Sequence, residues 1–147
     1  IFYFSELIRQ AEAYGLLEEY TQRYGEEYGQ TFSYLSDHLM FLPQFGREPT
    51  AREDVLAMER QLDESGPYYR IAPDMATDEL ANIIRHGDIL AIVSDRKGED
   101  VLKAGFVFKQ GEEVKFIHAS MQEKKVVIDA FPSKEEMRKG IRLFSIH

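Results

Sequence analysis

The chain has no cysteine. Its own residues therefore form no disulfide or zinc–thiolate site and supply no thiol nucleophile, and the redox compartment is left open. Basic charge is also scarce: 18 Lys and Arg stand against 26 Asp and Glu, a formal net charge of -8 with the four histidines neutral. With a pI of about 5.0 and no basic stripe, the composition disfavours a nucleic-acid backbone or an anionic membrane as partner, because both need a cationic footprint. Long apolar runs are missing too. No stretch approaches the roughly 18 residues that span a bilayer, and none within the chain reads as a signal peptide. There is no internal repeat, low-complexity tract or clear linker. What remains is 147 residues, 44% hydrophobic and 30% charged, the profile of one globular domain over 1–147 that can bury a core.

The strongest signals lie between Gly87 and Ser120. Ile89 to Val93 is a continuous apolar run bounded by Gly87-Asp88 and Ser94-Asp95, the pattern of a strand buried on both faces. After turn residues Lys97 to Glu99, Leu102 to Phe108 reads as a second strand. Leu102, Ala104, Phe106 and Phe108 share one of its faces, and Lys103, Gly105, Val107 and Lys109 the other. Gln110-Gly111 predicts a hairpin turn. In the third strand, Glu113 to Ala119, Val114, Phe116 and His118 share a face, so His118 ends an apolar row.

Along the rest of the chain, Phe4, Leu7, Ile8 and Ala11 keep a helical period up to Gly15. Glu18 to Gln30 spaces Tyr20, Tyr24 and Tyr28 by four. That spacing suits either an aromatic platform for a sugar or peptide, or a polar connection whose tyrosines cover the core. A short helix is expected from Ser33 or Ser36, stopped by Pro43, with His38 inside it. Thr50 to Glu53 reads as a capping box opening a helix to about Asp63. Arg52, Glu53, Asp54, Glu59 and Arg60 read as a solvated face. Tyr68 to Ile71 reads as a short edge-like strand and Thr77 to Ile84 as a short helix. His86 and Asp88 are too few for zinc, so Asp88 reads as a turn carboxylate and no metal is assigned. Lys124 to Asp129 predicts a fourth strand. Ser133 to Glu136 predicts a second capping box with a short helix ending at Gly140, and Ile141 to Ile146 a last strand. Helices gather early and strands late, which predicts an α+β fold with a mostly antiparallel sheet.

Taken in order, these segments resemble a known family. GDI-L-AIV at Gly87 to Val93, the glycine-aromatic strand and the Ile117-His118-Ala119-Ser120 quartet look like the N-acetylmuramoyl-L-alanine amidase-like branch of the NlpC superfamily, papain-related bacterial cell-wall hydrolases. Phe32 to His38 resembles that branch's F-x-F-M-S-x-H, Tyr68 to Pro73 its Y-Y-x-I-P, and Tyr3-Phe4-Ser5 with Ile8 its Y-F-S-x-W-I. The resemblance implies a papain-like, NlpC-type fold, an extracytoplasmic location, a muropeptide or peptidoglycan fragment as partner, and no cofactor. It also implies a cysteine nucleophile at a helix start, a histidine base on a sheet strand and a polar residue on the next strand.

The chain departs from that pattern twice. It has no cysteine, and where the family carries S-H-V-G it has Leu102-Lys103-Ala104-Gly105, so Lys103 stands at the base's position. A lysine ammonium ordinarily loses its proton only at a pH of about 10.4, and would need strong desolvation to act as a base. His118 matches the third member. Catalytic roles accordingly fall on His118 and Lys103, and substrate contacts on His38, Tyr69 and Ser120. His38 alternatively ties a loop by hydrogen bonds, and His118 alternatively is a core histidine. Because the chain begins at Ile1 and enters the pattern partway, a preceding segment holding the cysteine helix is expected. Two functions follow: a cell-wall amidase whose cysteine lies outside these residues, or a catalytically inactive relative that binds muropeptides or a protein partner.

Overall fold

The structure is a computed structural model that describes residues 3–39, 50–75 and 77–147. Helix α1 (Phe4–Ala13) buries Ile8 and ends as expected at Gly15, whose φ of 71° needs no Cβ. There the Leu16 and Gly15 N–H groups close back on the Ala11 and Glu12 carbonyls, satisfying the last turn. Strand β1 (Leu17–Glu19), a 3₁₀ turn over Thr21–Arg23, and strand β2 (Glu26–Tyr28) follow, then α2 (Tyr34–Asp37) and α3 (Ala51–Glu64). Strand β3 (Tyr68–Arg70), α4 (Thr77–Ile83), β4 (Ile89–Val93), β5 (Val101–Gln110), β6 (Glu113–Ser120), β7 (Lys125–Ala130) and β8 (Ile141–Ile146) complete the chain. Among the described residues β1, β8, β4, β5, β6 and β7 form one antiparallel sheet in that order, while β2 and β3 pair separately. The fold is α+β with a mostly antiparallel sheet.

The apolar run in β4 lies at the centre of the sheet, and Leu90, Ala91, Ile92 and Val93 are all buried. Both faces of that strand are covered. One is packed by Leu80 and Ile84 from the α4 region together with Met137, Phe116, Val107 and Leu143. The other, through Ala91 and Phe144, receives Ile8 and Phe4 of α1. Tyr3, Phe32, Leu35, Val55 and Leu62 join α2 and α3 into a third cluster beside the sheet.

Toward β7 the covering stops. In β5 it is the mixed row, Lys103, Gly105 and Val107, that faces inward beside Ile92 and Leu90, while Leu102 and Phe106 are 46% and 47% exposed. Gly105 is needed on that inner row: a Cβ there would stand 2.4 Å from the Ile117 carbonyl and within 2.7 Å of the Phe116 ring.

Several expected elements differ. The hairpin turn sits at Gly111-Glu112, since Gln110 still pairs with Glu113. Residues 18–30 are not a mere polar connection; β1 and β2 arise there because β8 and β3 supply backbone partners, despite glutamates that favour neither strand. Thr50 flanks α3 without capping it through its side chain. Ser133 and Glu136 do exchange the expected capping-box bonds, yet residues 134–139 form only turns before Gly140. The expected helix from Ser33 is a single turn, and its predicted stop at Pro43 lies outside the described residues.

Candidate functional site

The inner face of the sheet changes character at the C-terminal end of β6. Phe116 closes the core, and two residues on, His118 lies on the same face with its ring stacked on Phe116, centroids 5.2 Å apart. Antiparallel pairing sets His118 opposite Val127 of β7, and Asp129, two residues further along β7, shares the face. At this diagonal position His118 Nε2 lies 2.6 Å from Asp129 Oδ2. The two residues sit in different environments: the imidazole is 5% exposed, the carboxylate 58%. His118 Nδ1 is buried and has no hydrogen-bond partner among the described residues. A carboxylate on one nitrogen leaves the other as the acceptor, the geometry of an oriented general base.

Lys103 enters from β5, two strands away from β7. Its Nζ stands over the opposite part of the same aromatic pair, 5.9 Å from the Phe116 ring centroid. Lys103, His118, Ser120 and Asp129 line a groove of about 620 Å³ with the turn residues Met121, Gln122 and Glu123. Ser120 Oγ accepts the Glu123 N–H and so shapes that turn. A second hollow of about 280 Å³ shares Leu102, Lys103 and Ala104 with the first and runs toward Tyr3, Tyr34 and Asp100. Lys103 therefore stands where the two meet.

The sequence-predicted residues divide accordingly. Lys103, His118 and Ser120 come together. His38 is held within its own turn, stacked on Tyr34 at 4.2 Å with Nδ1 2.7 Å from the Tyr34 carbonyl oxygen. Tyr69 lies opposite Glu27 in the small sheet and lines neither hollow. His86 and Asp88 are engaged apart: His86 Nδ1 accepts the Lys109 N–H, and Asp88 accepts the Arg85 N–H and the Tyr20 hydroxyl. Burial together with Asp88 pushes the Tyr20 phenol far above its ordinary range. Among the described residues no three His, Asp or Glu side chains converge as metal ligands. Asp129 is the functional candidate that sequence reasoning missed; the available signal was an acidic residue at strand period in KVVID, facing a strand that ends in histidine.

The family model for N-acetylmuramoyl-L-alanine amidase-like proteins matches residues 1–140. The chain belongs to that family. An N-acetylmuramoyl-L-alanine amidase from Bacteroides uniformis has the same fold, with a TM-score of 0.85 at 23% identity over 98% of this chain and 63% of its own. A Bacteroides fragilis protein described provisionally as a xylanase also superposes with a TM-score of 0.85, at 25% identity, covering 98% of this chain and 65% of its own. This amidase-like chain thus spans somewhat under two thirds of the length of these relatives. No curated protein matches it.

Proposed function

We propose that residues 1–147 form one domain of a peptidoglycan amidase-like hydrolase of the papain-like, NlpC type, working outside the cytoplasm of a bacterium on a muropeptide or peptidoglycan fragment. The observation that carries this reading is the imidazole of His118, a residue that lines the groove, with Nε2 on Asp129 and Nδ1 buried and without a hydrogen-bond partner among the described residues. Family membership and the likeness to amidase structures support it.

In this reading the nucleophile is a cysteine thiol from outside these 147 residues. His118 Nδ1 takes the thiol proton as sulfur attacks the amide carbonyl. The imidazolium returns that proton to the leaving amine when the C–N bond breaks. Water, deprotonated by the same nitrogen, then opens the thioester. Asp129 holds the Nε2–H and stabilises the imidazolium. Thus His118, not Lys103, is the proton carrier, one strand removed from where the resemblance sets the base.

A second reading has one observation in its favour. The Lys103 ammonium stands at the junction of the two hollows, where a compact charge with three donors suits the carboxylate of a stem peptide. A catalytically inactive binder would use that contact alone.

Intact mass and a thiol titration under denaturing conditions, followed by muropeptide turnover, separate the two. The hydrolase reading expects a titratable thiol in the protein that carries this domain and a loss of turnover of about 10² or more on His118→Ala, the scale of general acid–base catalysis. No thiol and no turnover, with affinity lost on Lys103→Ala, would sink it in favour of the binder.

A further inference from the structure

The two edges of the main sheet differ. β1 is three residues long and carries Glu18 and Glu19. β7 is six residues long, has no neighbour on its outer side among the described residues, and exposes Val126 and Ile128 at 68% and 59%. On the outer face the registers Phe106 to Ile117 and Ile117 to Ile128 line up one apolar row across β5, β6 and β7. That row stops at the edge.

We propose that β7 is a self-pairing edge, joining two copies of this chain antiparallel about Val127. The strand's charge pattern is self-complementary around that residue. A two-fold axis at Val127 sets Lys125 opposite the partner's Asp129, Val126 opposite the partner's Ile128, and the mirrored pairs in return. Opposed side chains in such a ladder have Cβ atoms about 4.5–5.5 Å apart, close enough for both ion pairs and both apolar pairs to form. The outer row then runs unbroken from Phe106 through Ile128 onto the partner's Val126. Parallel pairing in register would instead oppose like charges, and a one-residue slip would set charge against Val or Ile.

Lysine on an edge strand ordinarily discourages pairing. Here Lys125 admits one register, because among the described residues it has no ion pair within the chain and Asp129 leaves Oδ1 outside its bond to His118. Assembly and the groove consequently share one carboxylate. The proposal rests on the edge itself, not on the hydrolase reading.

Sedimentation equilibrium on the 147-residue chain tests it without an activity assay. The wild type is expected to show a monomer–dimer equilibrium, weak because one strand pair buries less than the standard interface. Lys125→Asp and Asp129→Lys should each weaken dimerisation by about tenfold or more, since each converts two attractions into repulsions. An equimolar mixture of the two variants should recover association, as one chain then offers two anions and the other two cations. That recovery also shows that both variants remain folded at the edge. A wild type monomeric to about millimolar concentration, single variants that dimerise like the wild type, or a mixture that fails to recover would each overturn the proposal.

Discussion

Arg142 and His118 are both buried nitrogen-bearing side chains on the same sheet, and their surroundings are opposite. The Arg142 guanidinium is 2% exposed; Nε and Nη2 each donate to Glu19 at 3.0 Å, Nη1 donates to Ser5 Oγ at 2.7 Å, and the Tyr68 and Phe144 rings flank it. Burial works against its charge, yet the Glu19 bonds prevail and hold its pKa above the ordinary value. Burial likewise pushes the nearby Tyr28 and Tyr68 phenols up to about 12, with Arg142 pulling the other way. His118 has one nitrogen paired and one bare among the described residues. A fully satisfied polar cluster fixes structure, whereas a buried nitrogen kept without a partner is available for chemistry or a ligand.

In that contrast the arginine cluster carries stability. Arg142→Met should destabilise the chain by about 3–5 kcal/mol in urea unfolding, because the part-buried Glu19 loses its cationic partner and keeps only the Thr21 hydroxyl among the described residues. Tyr3→Phe comes next. The Tyr3 hydroxyl donates to Glu59 at 2.5 Å and accepts the Leu35 N–H at 2.9 Å, so its removal should cost about 1–3 kcal/mol in the same assay. His118→Gln should stay below about 1 kcal/mol, since Asp129 is exposed enough to rehydrate. A larger loss there than at Arg142 would reverse the comparison.

The smallest effect sharpens the α1 side. Arg9, which donates to Glu6 at 2.7 Å, holds that carboxyl below its ordinary value of 4.5. A depressed folded-state pKa adds stability above the unfolded value and loses it as pH falls through the folded one. The wild type should therefore lose a few tenths of a kcal/mol relative to Glu6→Gln as pH drops below about 4.5, read from paired unfolding curves.

Much of the central sheet was legible because its signals are local: the apolar run of β4, the alternation in β5 and β6, and the glycine at the hairpin. β1 and β2 were not, since three-residue strands rich in glutamate owe their existence to partners β8 and β3. Which face of β5 is inward was also hidden. Its more apolar row is the outer one, and only pairing with β4 and β6 turns Lys103 toward the groove. The same register, linking His118 to a residue 11 positions later, makes the Asp129 pair invisible to motif reading.

The most direct measurement is an NMR titration of the 147-residue chain with a soluble muropeptide, following backbone amides and the histidine ring nitrogens. Binding at the proposed site predicts shifts concentrated at Lys103, His118, Ser120 and Asp129, with the His118 Nδ1 resonance among the most affected. Saturable shifts centred instead on the separate hollow lined by Ile71, Phe131 and Met137, with His118 unmoved, would contradict the account.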